Sequence, residues 1–416
     1  MPFHADAIRA RFPSLHEPAD DGALPIFLDN PAGTQVPREV MQAVTDYYLT
    51  MNANSGGAFA TSRRNDDMVK RTREGMADFL NAASASEIVM GPNMTSLNFR
   101  LSRALAQTLA PGDEIVLTRM DHDANIAPWL LIAAENDLSV KWVDIRTADC
   151  ALDMDSLEAA LSERTRVVAT AHASNAVGTI NPVKQIAGMA HAVGAWHVVD
   201  AVQSAPHVPI DVAEIGCDFL LCSSYKFYGP HLGVMWGRQD SLESLPVSKV
   251  RPAKDVAPNR WENGTPSFET WNGLLACLDH WERIGKEFGD AELPQYDGRR
   301  GRMKRGMMAV RDYEASLATS LIEGLLAISG ISIAGVIDRE RLDQRVPTVA
   351  IAKEGHKPDD IARYLAGNHI YVWSGDYYAV EIMKRLRRPD GMVRIGIGQY
   401  NTVSEINKLL NLLELL

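Results

Sequence analysis

Between residues 85 and 240, short apolar runs rich in Val, Ile and Leu alternate with longer stretches in which apolar residues recur at helical spacing. Runs at 87–90, 114–118, 140–145, 166–172, 196–200, 218–222 and 232–236 predict strands. The stretches 96–110 and 182–193 predict helices, the second with Pro182 in its first turn. Such alternation is the pattern of right-handed βαβ crossovers, so the expected fold class is α/β: a large domain on a mostly parallel seven-stranded sheet flanked by helices. Past Pro266 the pattern changes. Helical spacing over 271–288 leads through a polar segment to a second helix over 302–328. Short strands at 331–333, 346–351, 370–373 and 393–397 then alternate with helices ending in NKLLNLLELL. This predicts a smaller α+β C-terminal domain. The expected division is an arm over 1–25 packing on the small domain, a large domain over 26–290 and a small domain over 291–416.

Composition narrows the function classes. The 416 residues are 46% hydrophobic, enough apolar surface for one large core and a satellite. With 42 basic and 53 acidic residues the net charge is −11, and no basic run could track a phosphate backbone, so nucleic acid is not an expected partner. No segment approaches the roughly 18 apolar residues of a membrane span, and the N-terminus lacks a signal-peptide layout. A soluble cytoplasmic protein acting on a small metabolite is expected, with no membrane partner. The four cysteines, Cys150, Cys217, Cys222 and Cys277, lack CxxC spacing and no HExxH occurs, so neither a disulfide framework nor a metal site is expected. Cys217 and Cys222 lie in the apolar run CDFLLC and read as buried, inert thiols. GIGQY at 396–400 lacks GxGxxG spacing and no GxxxxGK[ST] is present, which leaves dinucleotide and P-loop binding unsupported.

Open α/β sheets bind ligands beyond the carboxyl ends of their strands, and several of those positions are polar here. Asp200 ends the run WHVVD, with Gln203 three residues on. Taken alone, it reads equally as a turn or helix cap. Lys226 follows the strand DFLLCSS, where a lysine is poorly tolerated unless held or used, although a single lysine more often snorkels from a surface loop. Met90 to Ser96 runs from strand into helix, so its free N–H groups, with the Thr95 or Ser96 hydroxyl, suit a phosphate or serve an ordinary capped helix.

Taken together, these segments resemble the cofactor core of the class V aminotransferases, specifically the cysteine desulfurase and selenocysteine lyase branch of the fold-type I pyridoxal-phosphate (PLP) enzymes. The resemblance is carried by Asp200-x-x-Gln203, Ser223-Ser224-Tyr225-Lys226 and Tyr228-Gly229-Pro230, and by the entry segment Ile26 to Gly33. It extends through Asp121 to Trp129, His172 to Thr179, Gly264-Thr265-Pro266, and Val393 to Gly396 followed by Tyr400-Asn401-Thr402. It implies pyridoxal 5'-phosphate held as a Schiff base on Lys226, with Asp200 on the pyridine nitrogen and His122 stacked on the ring. Asn175 would reach the phenolic oxygen. The phosphate and ring contacts would come from Asn93, Met94, Thr95, Gln203, Ser223 and Tyr225, and from Thr265 across a homodimer interface. Arg394 would clamp the substrate carboxylate, with Asn175 and Tyr378 also on the substrate. Read as isolated residues, His122 could be a satisfied loop residue, Asn175 a turn former and Arg394 half of a surface ion pair.

The pattern also departs from that branch. Where the desulfurases carry a nucleophilic cysteine, the matching position is Tyr378, and no cysteine follows Cys277. A phenol cannot carry sulfane sulfur as a persulfide does. The histidine usually preceding the lysine is Tyr225, and Asn54 to Phe59 lacks the histidines of the related stretch. The resemblance therefore implies PLP chemistry on an α-amino acid, favouring side-chain cleavage over transamination or epimerisation, with Tyr377 and Tyr378 as acids or packing residues. A desulfurase-like, non-catalytic partner protein is the reading from another class.

Overall fold

The computed structural model describes residues 3–416, so the first two residues of the expected arm lie outside it. Seven strands form the main sheet: β1 (Ile88–Gly91), β2 (Glu114–Thr118), β3 (Ser139–Val143), β4 (Thr165–Ala171), β5 (Trp196–Asp200), β6 (Phe219–Ser223) and β7 (Gly233–Gly237). Their spatial order is β1-β7-β6-β5-β4-β2-β3, and only β7 runs antiparallel to its neighbours. The central strands are buried along almost their whole length because helices cover both faces, which is why they read as mostly apolar runs without a strict alternation. Strand β3 lies at an edge and alternates, with Ser139 and Lys141 exposed.

Period-two alternation divides each strand between two cores. Leu221 and Met235 pack beneath α3 (Met94–Ala106) and α4 (Ala127–Glu135), with Leu101 and Trp129. Leu220, Cys222 and Val234 face the opposite core, with Trp271 and Trp281 of α6 (Phe268–Phe288), into which α2 (Ala60–Leu80) also packs. Helix α1 (Arg38–Thr50) lies against α6, and α5 (Val183–Ala192) connects β4 to β5. Pro182 occupies the N-cap of α5 and not its first turn, a shift of one residue.

Helix α7 (Gly298–Ala327) belongs to both lobes: Met303, Met307 and Val310 enter the large core, whereas Leu317, Leu321 and Leu325 enter the small one. It crosses α6 at Gly285, where an added Cβ would lie 1.7 Å from the Arg302 carbonyl oxygen, so the backbones meet at a distance only glycine permits. The arm likewise touches both lobes. Phe12 packs on Tyr228 and Tyr400, Arg11 pairs with Glu287, and Arg9 pairs with Glu405 at 2.8 Å.

The C-terminal sheet is antiparallel, ordered β8 (Ile331–Ala334), β9 (Thr348–Lys353), β11 (Met392–Gly396) and β10 (Trp373–Gly375), and backed by α8 (Pro358–Ala366) and α9 (Val403–Glu414). Two expected strands are corrected. The run at 370–373 is two strands, because Ile370–Tyr371 pairs in parallel with Ile26–Phe27 while Trp373 turns to β11. The run at 140–145 ends at Val143, after which Ile145–Arg146 pairs with Ala151–Leu152. Apolar pattern shows a strand but not its partner, and here the partner changes within one run. Among the described residues no helix is long and apolar enough to cross a membrane.

Candidate active site

The carboxyl ends of β1, β4, β5 and β6 and the loop after β2 converge with β10, the turn after it and β11 on one cavity of about 430 Å³. Twelve of the thirteen expected site residues line it: Asn93, Met94, Thr95, His122, Asn175, Asp200, Gln203, Ser223, Tyr225, Lys226, Tyr378 and Arg394. Thr265 does not, and is exposed on a separate loop.

At the β1 end, Asn93 caps α3 by accepting the Ser96 N–H at 2.8 Å, and the Met94 N–H donates to Ser223 Oγ at 3.1 Å. A Cβ at Gly233 would lie 2.3 Å from the Asn93 carbonyl carbon, so the absence of a side chain there lets β7 pass beneath this helix start. The result is a helix N-terminus opening on the cavity beside the exposed Thr95.

Beyond β2, Asp121 is fully buried and fastened to Asn125 Nδ2 at 2.7 Å and to the Thr118 hydroxyl. This holds the following His122, whose Nδ1 accepts the Ala124 N–H at 2.9 Å, leaving the proton of the neutral ring on Nε2. Burial, then Lys226 and Arg394, push the His122 imidazole down to about 4, so the ring is uncharged at neutral pH. Past β4, Asn175 donates to the Tyr377 carbonyl at 2.9 Å and keeps its Oδ1 buried without a partner. A buried acceptor left empty is costly unless a ligand meets it.

Asp200, 5% exposed at the end of β5, accepts the Val202 N–H at 2.9 Å. Burial pushes its carboxyl up to about 6 against the opposing pull of that N–H and of Lys226. Gln203 is committed elsewhere, donating to Thr348 Oγ1 at 3.0 Å. The turn after β6 presents Lys226, whose Nζ donates to the carbonyls of Ala32, at 2.9 Å, and Pro31. Desolvation first, then Arg394, bring its amine down to about 7. The Tyr225 ring lies 4.9 Å from that nitrogen and stacks on His231. From β11, Arg394 donates to the Asn175 carbonyl at 2.9 Å, rests 4.4 Å over the Tyr377 ring and leaves Nε buried and unpartnered.

Reading side chains along the sequence missed the lysine's acceptors, because they are backbone carbonyls of Pro31 and Ala32. It also missed Asp29, whose carboxyl is pushed up to about 6 by burial close to Arg394 and Lys226 and whose Oδ1 has no partner. None of the four cysteines lines the cavity. All are buried, and burial raises every thiol, Cys150 to about 11.

The family model of the class-V aminotransferases matches residues 26–295 and 302–409. The chain belongs to that family. An aminotransferase-like protein, FGM3, of Gibberella zeae is 30% identical over 425 residues, spanning 99% of this chain and 98% of the relative. A probable cysteine desulfurase of Streptomyces coelicolor is 31% identical over 98% of this chain and 96% of its own. Among solved structures, the apo cysteine desulfurase of Thermococcus onnurineus superposes with a TM-score of 0.87 at 27% identity, covering 100% of this chain and 98% of that one. The Escherichia coli cysteine desulfurase CsdA superposes at 0.83 and 26%, with the same coverage. The fold is that of the fold-type I PLP enzymes, and the class-V enzymes use pyridoxal 5'-phosphate. The residues present fit that cofactor. A helix N-terminus offers N–H groups to a phosphate, a buried carboxyl and a desolvated amine line one cavity, and Asn175 Oδ1 stands orphaned beside them.

Proposed function

We propose that this PLP-dependent class-V enzyme cleaves the side chain of an α-amino acid, of the carbon–sulfur kind or a related bond, without an enzyme persulfide. The observation that carries this reading is the composition of the cavity wall, which has a buried guanidinium for an α-carboxylate, a desolvated amine to serve as a base, and no thiol. Bound at this site, the cofactor supplies an electron sink for the pair left when the α-proton departs. Arg394 receives the α-carboxylate with its planar fork, and its unpartnered Nε is available as a second donor. Tyr377 beneath the guanidinium and the Asn175 carbonyl beside it fix the plane of that fork. Lys226, as a neutral amine, is the group to take the α-proton, and Asp200 would hold a proton on the cofactor's ring nitrogen. Asn93, Met94 and Thr95 would hold the phosphate at the start of α3, with Ser223 and Tyr225 from the β6 turn. For a β-thio-substituted substrate the Cβ–S bond breaks as the α-proton leaves, the thiolate is protonated and departs, and the released enamine is hydrolysed to pyruvate and ammonium. No oxidant or reductant is consumed. Incubation of the loaded enzyme with S-methyl-cysteine is the test: stoichiometric pyruvate and methanethiol support cleavage. A 2-oxo acid with pyridoxamine phosphate would instead establish transamination, and inversion at the α-carbon alone would establish epimerisation.

Cofactor uptake has a distinctive pH dependence. The neutral amine attacks the aldehyde, and Lys226 is depressed from 10.5 to about 7. The initial rate of chromophore formation by apoprotein is therefore expected to rise with pH to about 7 and then level off. A rate still climbing at alkaline pH would mean a solvated lysine is reacting.

The exposed Thr265 serves the neighbouring subunit's phosphate in a homodimer. Substitution Thr265→Ala is expected to weaken PLP affinity by about 3- to 10-fold, the worth of one hydrogen bond, without changing the dimeric sedimentation. A fully active monomer would overturn the shared site.

A further inference from the structure

Resting on the reading above, the geometry points to a substrate whose side chain ends in a cation, received by the Asp376 carboxylate on the same cavity wall as Trp373 and Tyr378. Four charged side chains line the cavity: Asp200, Lys226, Arg394 and Asp376. Cofactor and α-carboxylate account for the first three. Asp376 has no such duty, and it forms no ion pair among the described residues.

The wall that carries Asp376 is built at a conformational cost. Ala379 N–H donates to the Asp376 carbonyl at 2.8 Å, closing a tight turn whose two central residues, Tyr377 and Tyr378, both have φ of 56°. Left-handed backbone disfavours side chains with a Cβ, and it persists in tyrosine only where the surroundings enforce it. They do so here: Asn175 holds the Tyr377 carbonyl, the Asp123 N–H holds the Tyr378 carbonyl at 2.7 Å, and Asp376 Oδ1 accepts the Tyr378 N–H at 3.0 Å. The consequence is directional. Tyr377 turns inward beneath Arg394, while Tyr378 is 71% exposed at the rim and lies against His122. Trp373, 53% exposed, completes the rim.

One turn thus supports two receptors. Its inner tyrosine backs the carboxylate clamp, and its outer part offers a carboxylate on a wall shared with the exposed rings of Trp373 and Tyr378. Exposed aromatic faces with a neighbouring carboxylate suit an ammonium or guanidinium. An acidic side chain would meet Asp376 with no free cation on the wall to receive it, and a small neutral one would leave carboxylate and rings unused. The net charge of −11 adds long-range attraction for cations.

The test uses holoenzyme and three thioethers that differ in terminal charge: S-aminoethyl-cysteine, S-ethyl-cysteine and S-carboxymethyl-cysteine. The cationic compound is expected to show the highest kcat/KM, by about 10-fold over the neutral one and more over the anionic one. In Asp376→Asn, which can still accept the Tyr378 N–H, the cationic-to-neutral ratio is expected to fall about 10-fold, to near unity, chiefly through KM. A preference for the neutral or anionic compound, or a ratio unchanged in Asp376→Asn, would overturn the inference while turnover of any of the three sustains the broader reading. Whichever product forms, the ranking can be read. Protein that neither develops the PLP chromophore nor turns over any amino acid would sink both.

Discussion

Replacing Lys226 with alanine is expected to reduce turnover by at least ~10³-fold, the order of magnitude a positioned proton-transfer group supplies, before its loss as the covalent anchor is counted. Lys226→Arg is expected to be equally inactive. A guanidinium keeps the charge but is neither a nucleophile nor a base near neutral pH. The checks are kcat on the best amino acid and borohydride trapping, with the modified residue located by mass spectrometry. An alanine variant within tenfold of the parent, or label on another lysine, would reject the assignment. Misfolding is separable from chemistry by the pH dependence of the variant's stability relative to the parent, since the variant retains every other titrating group. Its folded value of about 7 lies below its ordinary 10.5, so the folded apoprotein binds fewer protons than the unfolded chain between those values. Its contribution to stability is present above 10.5 and is lost as pH falls through about 7. The alanine apoprotein lacks this loss, so its melting temperature relative to the parent is expected to rise as pH is lowered across that window.

That lysine and its partners could be found in the sequence because a parallel sheet reports its own active edge. Each of β2, β4, β5 and β6 is a short, mostly apolar run rich in Val, Leu or Ala, and the polar residues just past it mark the carboxyl end where ligands sit. Strand ends singled out Asp200 and Lys226 as candidates, and the roles expected of them, of His122 and of Asn175 came from the resemblance to the class V aminotransferases. What stayed hidden depends on contacts that sequence spacing cannot encode. The acceptors for Lys226 are peptide carbonyls almost two hundred residues away. Gln203 occupies the expected place but spends its amide on Thr348, a partner supplied by the other sheet. Tyr377 and Tyr378 are adjacent and chemically identical, yet two left-handed backbone conformations send one under Arg394 and the other to the rim. Only the mutual pinning of Asn175, Asp123 and Asp376 decides which is which. The split of 370–373 has the same origin, since Ile26 and Arg394 compete for neighbouring residues of one apolar run.

Asp200→Asn should separate holding the cofactor from using it. Asparagine preserves volume and can still accept the Val202 N–H, and Lys226 is untouched, so the variant is expected to bind PLP and remain coloured. What it lacks is the negative charge that keeps a proton on the ring nitrogen. A charge-assisted hydrogen bond contributes about 1.5–3 kcal/mol, and leaving its buried partner cation uncompensated raises the cost toward about 4 kcal/mol. At about 1.4 kcal/mol per decade, kcat is expected to fall about 10²- to 10³-fold with little change in KM, because the carboxylate-binding Arg394 is unaffected. Stability should move in the opposite direction. Burial raises the Asp200 carboxyl from 3.8 to about 6 in the cofactor-free protein, so its contribution is complete below 3.8 and is lost as pH rises through about 6. The asparagine apoprotein escapes that loss, and its melting temperature relative to the parent is expected to be higher at pH 8 than at pH 4. A variant that is coloured, slow and more stable at pH 8 would identify a carboxylate kept at a cost to folding for the sake of the ring proton. A coloured variant within threefold of parental kcat would show that the ring needs no such partner.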